Sequence, residues 1–119
     1  MLTAETLTED EKDRLKGLIE VLTLMTKDRP NIPVHQLILL FMLALDEGQS
    51  QKHYREKSGF PPSTVSRAML DLGQKMRSGE PGLGLIDDRT SAHSLREYEM
   101  YLSRKGAALV KKIARILAK

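Results

Sequence analysis

The chain contains no cysteine among its 119 residues. This absence excludes a disulfide framework, a thiolate metal site and direct thiol-based sensing of oxidants. The longest apolar run, residues 37–45, is far too short to span a bilayer. The N-terminal stretch MLTAETLTEDEK is acidic where an export signal is basic. We therefore expect a cytoplasmic protein that does not associate with membranes.

Residue patterns typical of catalytic and cofactor sites are also lacking. The histidines His35, His53 and His93 fall on different predicted elements, without the spacing of metal ligands. The pair Gly82 and Gly84 lacks the third glycine and the following lysine of a phosphate-binding loop. No serine lies in the sequence context of a nucleophile elbow. We predict that the protein is not an enzyme and uses no metal or cofactor.

Charged residues are plentiful but unevenly distributed along the chain. Residues 48–80 carry a net charge of +3 and residues 103–119 carry +6, whereas residues 1–47 carry −4 and residues 81–102 carry −2. Charge that is segregated in this way indicates a polyanionic partner facing part of the surface. Solvation of helical surfaces explains the same charges equally well when they are considered alone.

Capping and turn residues predict three helices before residue 60. The capping box at Thr8 begins a helix that ends near Pro30. Pro33 precedes VHQLILLFMLALDEG, which is apolar on nearly every side and is expected in the middle of the core. Ser50 caps a short helix, which Gly59 closes in a left-handed conformation.

A fourth helix begins at Pro62 and is expected to extend to about Met76, with Val65, Met69 and Leu72 as its buried stripe. The pattern then changes. LGLID predicts a short strand, and the alternating REYEMYL predicts a second one that completes a hairpin. A final amphipathic helix follows Ser103.

This order of elements is that of a winged helix-turn-helix, a mainly α fold with a small two-stranded β-wing. A chain of this length, 40% of it apolar, is expected to form a single domain over residues 1–119. We divide that domain into an N-terminal helix (1–32), a winged-helix core (33–102) and a C-terminal helix (103–119).

The head of the Pro62 helix has a composition suited to reading DNA. A helix that enters the major groove by its N-terminal end needs small, polar first turns, and an arginine there can contact guanine through two hydrogen bonds. The predicted base-reading residues are Pro62, Ser63, Thr64, Ser66 and Arg67. The alternative is a capped surface helix with an ordinary polar face, which the preceding short helix makes less favourable.

The sequence PPSTVSRAMLDL resembles the recognition helix of the multiple-antibiotic-resistance (MarR) family of regulators and of related winged-helix repressors. GLGLID resembles the first wing strand of these proteins, and YLSRKGAAL resembles the start of their final helix, with Ser103 and Gly106 at matching positions. The resemblance covers residues 35–112. It implies a DNA-binding repressor that pairs through its N- and C-terminal helices.

Basic side chains on three elements are candidates for contacts with the DNA backbone, which fix register without reading sequence. On the short helix and after the recognition helix these are Lys52, His53, Arg55, Lys75 and Arg77. On the wing they are Arg89, His93 and Arg96, since a wing arginine can enter the minor groove. Simple solubility, or pairing of the wing arginines with Asp87 and Asp88, is the alternative.

The terminal helices carry more apolar residues than a small core can bury, which predicts a homodimer. The predicted dimerisation residues are Leu15, Leu18, Ile19, Leu22, Ile113, Ile116 and Leu117. The resemblance further implies a small-molecule effector between the dimerisation helices and the DNA-binding region. Met25, Met42 and Tyr54 are candidates for lining such a site, with ordinary core packing as the alternative.

We predict a transcriptional regulator that binds double-stranded DNA sequence-specifically and acts as a dimeric repressor on a pseudo-palindromic site. The alternative is a winged-helix module for protein–protein interaction or for an accessory role in replication, without sequence-specific reading of DNA. An interaction module typically exposes apolar residues on the recognition helix. The polar head of the Pro62 helix therefore favours DNA.

Overall fold

The computed structural model of the chain describes residues 6–74, 81–90 and 98–118. Within these residues the helices are α1 (Glu9–Met25), α2 (Val34–Leu45), α3 (Gln51–Ser58), α4 (Pro62–Leu72) and α5 (Arg104–Ala118), and the strands are β1 (Ile86–Thr90) and β2 (Tyr98–Leu102). The predicted mainly helical fold with a two-stranded wing is confirmed. None of the described helices is long and apolar enough to cross a membrane.

The chain divides into two compact units. Residues 1–32 and 111–119 form what we call the terminal unit, and residues 33–110 form the core unit. The helices α2, α3 and α4, both strands and the first residues of α5 belong to the core unit. Helix α1 and the C-terminal part of α5 belong to the terminal unit.

The side chains predicted to cap the N-termini of α1 and α3 form the expected hydrogen bonds with nearby backbone groups. Thr8 Oγ1 accepts a hydrogen bond from the backbone N–H of Glu11, while Glu11 Oε1 accepts one from the N–H of Thr8. Ser50 Oγ accepts from the N–H of His53, and Gly59 closes α3 with a φ of 74°. Only glycine adopts this left-handed conformation at no steric cost, so the position of Gly59 defines the end of α3.

The buried side chains of the core unit come from α2, α3 and α4, from both strands and from the residue before β1. The residues with less than 6% exposure are Gln36, Leu37, Leu39, Leu40, Leu43, Tyr54, Val65, Ala68, Met69, Leu72, Leu85, Ile86 and Met100. The predicted buried stripe of α4 is confirmed by three members of this set. Helix α2 contacts α3, α4 and β2, so it is the central helix of the unit.

One face of α2 departs from the sequence prediction of an all-round buried helix. Val34, Ile38 and Leu45 are 68, 41 and 88% exposed. These positions share one side of the helix, whereas Gln36, Leu40 and Leu43 lie on the other side. The neighbouring elements α3, α4 and β2 cover only that second side, which leaves an apolar stripe on the surface.

Helix α4 ends at Leu72, earlier than the predicted end near Met76. The backbone carbonyls of Asp71, Leu72 and Gly73 accept hydrogen bonds of 2.8–2.9 Å from the N–H groups of residues 83–85. The segment that leads into the wing therefore takes the carbonyl groups that a longer helix would have used. Such a long-range contact leaves no local signal in the sequence.

Strands β1 and β2 pair antiparallel, with Ile86 opposite Leu102 and Thr90 opposite Tyr98. The segment after α2 adds to this sheet, because Gln49 forms an isolated antiparallel bridge with Met100. Strand β2 is thus hydrogen-bonded to the segment that follows α2 as well as to β1.

The start of α5 is joined to the same wing. Ser103 Oγ accepts a hydrogen bond from the N–H of Gly106 and donates one to the carbonyl of Gly84 at 2.6 Å. A Cβ atom at position 106 would overlap the carbonyl oxygen of Leu85. The glycine at 106 therefore permits a backbone approach that no other residue allows.

In the terminal unit, α1 lies against the C-terminal part of α5. A Cβ atom on Gly17 would lie 3.7 Å from the carbonyl oxygen of Ile116 and from Leu117 Cδ2. Val21 and Met25 of α1 are buried, and so are Ile32 and Ile113. These four are the buried apolar side chains of the terminal unit among the described residues.

Candidate nucleic-acid interface

The turn between α3 and α4 fixes where the first residues of α4 lie. The N–H of Gly59 donates to the carbonyl of Arg55 at 2.9 Å. Ser58 Oγ then accepts from the N–H of Phe60 at 3.1 Å, and α4 begins immediately afterwards at Pro62. The first bond satisfies one of the carbonyls at the end of α3, and the second satisfies the backbone N–H of the residue after Gly59. The two helices and this turn form a helix-turn-helix.

The two sides of α4 have opposite chemistry. Val65, Ala68, Met69 and Leu72 are buried against the core unit. The predicted base-reading residues lie at the other side or at the start of the helix. Of these, Pro62, Ser63, Ser66 and Arg67 are exposed, and Thr64 is half-buried.

The structure thus brings the predicted base-reading residues together on one surface. Ser63, Ser66 and Arg67 follow the i, i+3, i+4 spacing of one helical face. Leu70 continues that face and is 41% exposed, so the polar surface is confined to the first two turns of α4. Those are the turns that a helix presents when it enters the major groove by its N-terminal end.

Of the predicted phosphate contacts on α3, Lys52 is exposed and Arg55 is half-buried. His53 is placed differently. Its Nε2 lies 2.8 Å from Asp46 Oδ2, at the C-terminal end of α2. Because this ring nitrogen is already engaged, His53 joins α3 to α2, and we leave it out of the proposed phosphate contacts.

The end of α2 contains residues whose roles the sequence analysis missed. Asp46 bonds His53, and its backbone carbonyl accepts from the Tyr54 hydroxyl at 2.6 Å. Glu47 Oε1 accepts from the N–H of Leu102 at 2.8 Å. The sequence feature that could have indicated these roles is the position of Asp46 and Glu47 directly before Gly48, which has a φ of 86°.

On the wing, Arg89 lies in β1 and pairs in register with Glu99 of β2. Asp87, considered above as a partner for the wing arginines, accepts a hydrogen bond from Gln74 Nε2 at 3.0 Å. The remaining predicted contacts, Lys75, Arg77, His93 and Arg96, lie outside the described residues.

The predicted dimerisation residues of α1 form an exposed apolar stripe. Leu15, Leu18, Ile19 and Leu22 are 41–64% exposed and follow an i, i+3, i+4, i+7 pattern. On α5, Leu117 is exposed and Ile116 is half-buried, but Ile113 is buried within the single chain. We therefore leave Ile113 out of the proposed contact surface.

The candidate effector-lining residues are mostly core residues. Met25 and Tyr54 are buried in different units, and Met42 is half-buried. Burial raises the pKa of the Tyr54 hydroxyl to about 12, with smaller upward contributions from the carboxylates of Asp46 and Glu47. Tyr54 is therefore a neutral hydrogen-bond donor that fixes α3 to the end of α2.

Comparison by sequence finds no matching protein-family model and no significant match among curated proteins. Comparison of structures gives clear matches. A MarR variant from E. coli in complex with operator DNA is 14% identical, with a TM-score of 0.63 over 89% of this chain and 66% of the other. A MarR transcriptional regulator from Methanosarcina mazei is 19% identical, with a TM-score of 0.61 over 90% and 70%.

A third match is the transcriptional repressor CouR bound to a 23-mer DNA duplex. It is 22% identical to this chain, with a TM-score of 0.57 over 91% of this chain and 64% of the other. These identities are low, but the matches extend over 89–91% of this chain with TM-scores of 0.57–0.63. The chain has the MarR-type winged-helix fold.

Proposed function

We propose that the protein is a sequence-specific regulator of transcription that binds double-stranded DNA. The observation that carries this proposal is the head of α4. A helix-turn-helix presents Ser63, Ser66 and Arg67 together on an exposed surface, while the other side of the same helix is fully packed. Hydroxyls and a guanidinium in the first turns of such a helix are suited to the base edges of the major groove.

The basic residues around this surface supply the sequence-independent part of binding. Lys52 is exposed on α3, and Lys75 and Arg77 follow α4 in sequence. Arg89, His93 and Arg96 belong to the wing region, for which we propose contacts with the adjacent backbone or minor groove. Contacts of this kind release counterions from DNA, so binding should weaken steeply with salt.

We further propose that the protein acts as a homodimer on a pseudo-palindromic site. The support is the apolar stripe of α1, which is a costly surface for a monomer to expose to water. Two copies of α4 related by a two-fold axis would read two half-sites about one turn of DNA apart. A dimer bound across a promoter would block polymerase, and we propose repression on this ground.

Selection of bound sequences from random duplex DNA tests the whole proposal. We expect one enriched motif with two inverted half-sites. We also expect the logarithm of the affinity for it to fall linearly with the logarithm of the salt concentration. An enriched motif without inverted symmetry would contradict the dimer. No enrichment at all would contradict sequence-specific binding.

One observation favours a second candidate function, an interaction module that does not read DNA sequence. The exposed stripe of Val34, Ile38 and Leu45 on α2 is apolar and lies on the core unit itself. Duplex binding that is equally tight on every sequence, together with specific capture of a partner protein that Leu45→Lys abolishes, would support this candidate over the first.

A further inference from the structure

A hydrogen bond inside the core unit connects the recognition helix to the central helix. Gln36 lies on α2 and its side chain is only 1% exposed. Its Nε2 donates to Asp71 Oδ2 on α4 at 2.7 Å. The carboxylate can only accept, so the nitrogen of the amide must face it. This contact joins residues of two helices that are 35 positions apart in sequence.

The pair is not what a helix–helix contact needs for stability. Gln36 Oε1 is buried and has no hydrogen-bond partner among the described residues. Burying an amide with half of its hydrogen-bonding capacity unused costs free energy that an apolar side chain at the same position would not cost. Every other buried residue of α2 is a leucine. The glutamine is therefore an expensive choice at this position.

The pair restricts the rotation of α4 about its own axis. Apolar side chains pack in several orientations with similar free energy, whereas a short bond to a carboxylate is satisfied at only one rotation of α4 about its axis. Asp71 also connects to the wing, because its backbone carbonyl accepts from the N–H of Leu83 at 2.9 Å. One residue thus fixes α4 against α2 and against the segment leading into β1.

We propose that Gln36 and Asp71 are positioning residues, which set the rotation of α4 and so determine how well Ser63, Ser66 and Arg67 meet the bases. Neither residue contacts DNA in this proposal. The inference rests on the proposed function. It predicts that the pair contributes to discrimination between DNA sequences rather than to folding.

The test uses the ratio of affinities for the selected duplex and for a scrambled duplex of the same composition. The double variant Gln36→Leu with Asp71→Leu replaces the pair by apolar side chains. We expect it to fold with unchanged or higher thermal stability, while the ratio falls roughly tenfold, equivalent to the loss of one base contact. Retention of the full ratio by this variant would overturn the proposal.

Two further variants separate positioning from stability. Asp71→Asn keeps an acceptor for Gln36 and should keep the ratio within about threefold of the unaltered chain. Leu43→Ala destabilises the same helix without touching the pair, and well below its melting temperature it should leave the ratio unchanged. A loss of discrimination in Leu43→Ala equal to that in the double variant would show that stability, and not the pair, is responsible.

A different result would contradict the proposed function itself. It appears in the unaltered chain as equal affinity for the selected and scrambled duplexes, before any variant is made. A normal ratio in the unaltered chain that persists in the apolar double variant removes only the positioning role of Gln36 and Asp71.

Discussion

Helix α4 of the core unit and helix α1 of the terminal unit differ in the side chains that they leave on the surface. The core unit buries one side of α4 and exposes polar residues on the other. The terminal unit exposes an apolar stripe on α1 and buries few of its residues. Water solvates a polar exposed face without a cost in free energy, so such a face needs no partner for stability. An exposed apolar stripe costs free energy unless a partner covers it.

This difference indicates that the two surfaces have different kinds of partner. The proposed ligand of the α4 head is a polyanion, because the head combines hydroxyls with Arg67, and the opposite side of α4 is buried in the core unit. We propose that a second copy of the chain covers the stripe of Leu15, Leu18, Ile19 and Leu22 on α1.

The largest expected effect is on the stability of the core unit. Leu40 on α2 is fully buried, and Leu40→Ala should lower the free energy of unfolding by about 2–5 kcal/mol. Leu45→Ala on the same helix is the matched control, because Leu45 is almost fully exposed; it should change stability by less than about 0.5 kcal/mol. Chemical denaturation followed by circular dichroism measures both. Equal losses would show that the exposed side of α2 is covered in solution.

The second prediction addresses the terminal unit. Ile19→Glu places a charge in the centre of the α1 stripe, and it should weaken a dimer by about 2 kcal/mol or more. Light scattering at micromolar concentration should then show monomer, and affinity for the full palindrome should fall although no base-reading residue has changed.

The control for Ile19→Glu is Lys16→Gln, which lowers the net charge by the same amount at an exposed polar position of α1. It should leave the dimer intact. If light scattering shows the unaltered chain to be a monomer, the assignment of the stripe to dimerisation is wrong.

The starts of the helices and the exposed face of α4 could be predicted from the sequence, because the residues that determine them are close together in the chain. Capping by Thr8 and Ser50, closure by Gly59 and the start of α4 at Pro62 each depend on side chains within a few residues. The exposed polar head of α4 was predicted for the same reason: its positions follow directly from helical spacing.

The remaining features depend on contacts between distant segments. The end of α4 at Leu72 is set by hydrogen bonds from residues 83–85. The engagement of His53 by Asp46 and the Gln36–Asp71 bond need the helices to be placed first. The exposed stripe of α2 was missed because a segment that is apolar on nearly all sides does not reveal which side its neighbours cover.

The third prediction concerns the polar face of the core unit. Arg67→Ala should weaken binding to the selected duplex by about 1–3 kcal/mol and relax the preference at one base position. Lys52→Ala, at an exposed position on α3, should instead weaken selected and scrambled duplexes by similar amounts and lower the salt dependence. Fluorescence anisotropy on both duplexes distinguishes them. The opposite pattern would reverse the roles assigned to α3 and α4.

The smallest expected effect tests how firmly the core unit holds the helix-turn-helix. Tyr54→Phe removes the hydrogen bond from the hydroxyl to the Asp46 carbonyl, at a cost of about 1 kcal/mol near neutral pH. Burial raises the pKa of Tyr54 in the folded chain to about 12, above its ordinary value of about 10. The folded state therefore holds this proton more tightly, so stability is fully present below pH 10 and declines between pH 10 and about 12. The advantage of the unaltered chain over Tyr54→Phe should shrink above pH 10 and change sign before about pH 12, because two pKa units correspond to about 2.7 kcal/mol, as measured by denaturation at each pH. A difference that stays constant would mean that Tyr54 ionises as easily in the folded chain as in the unfolded one, and that the end of α2 is open to water.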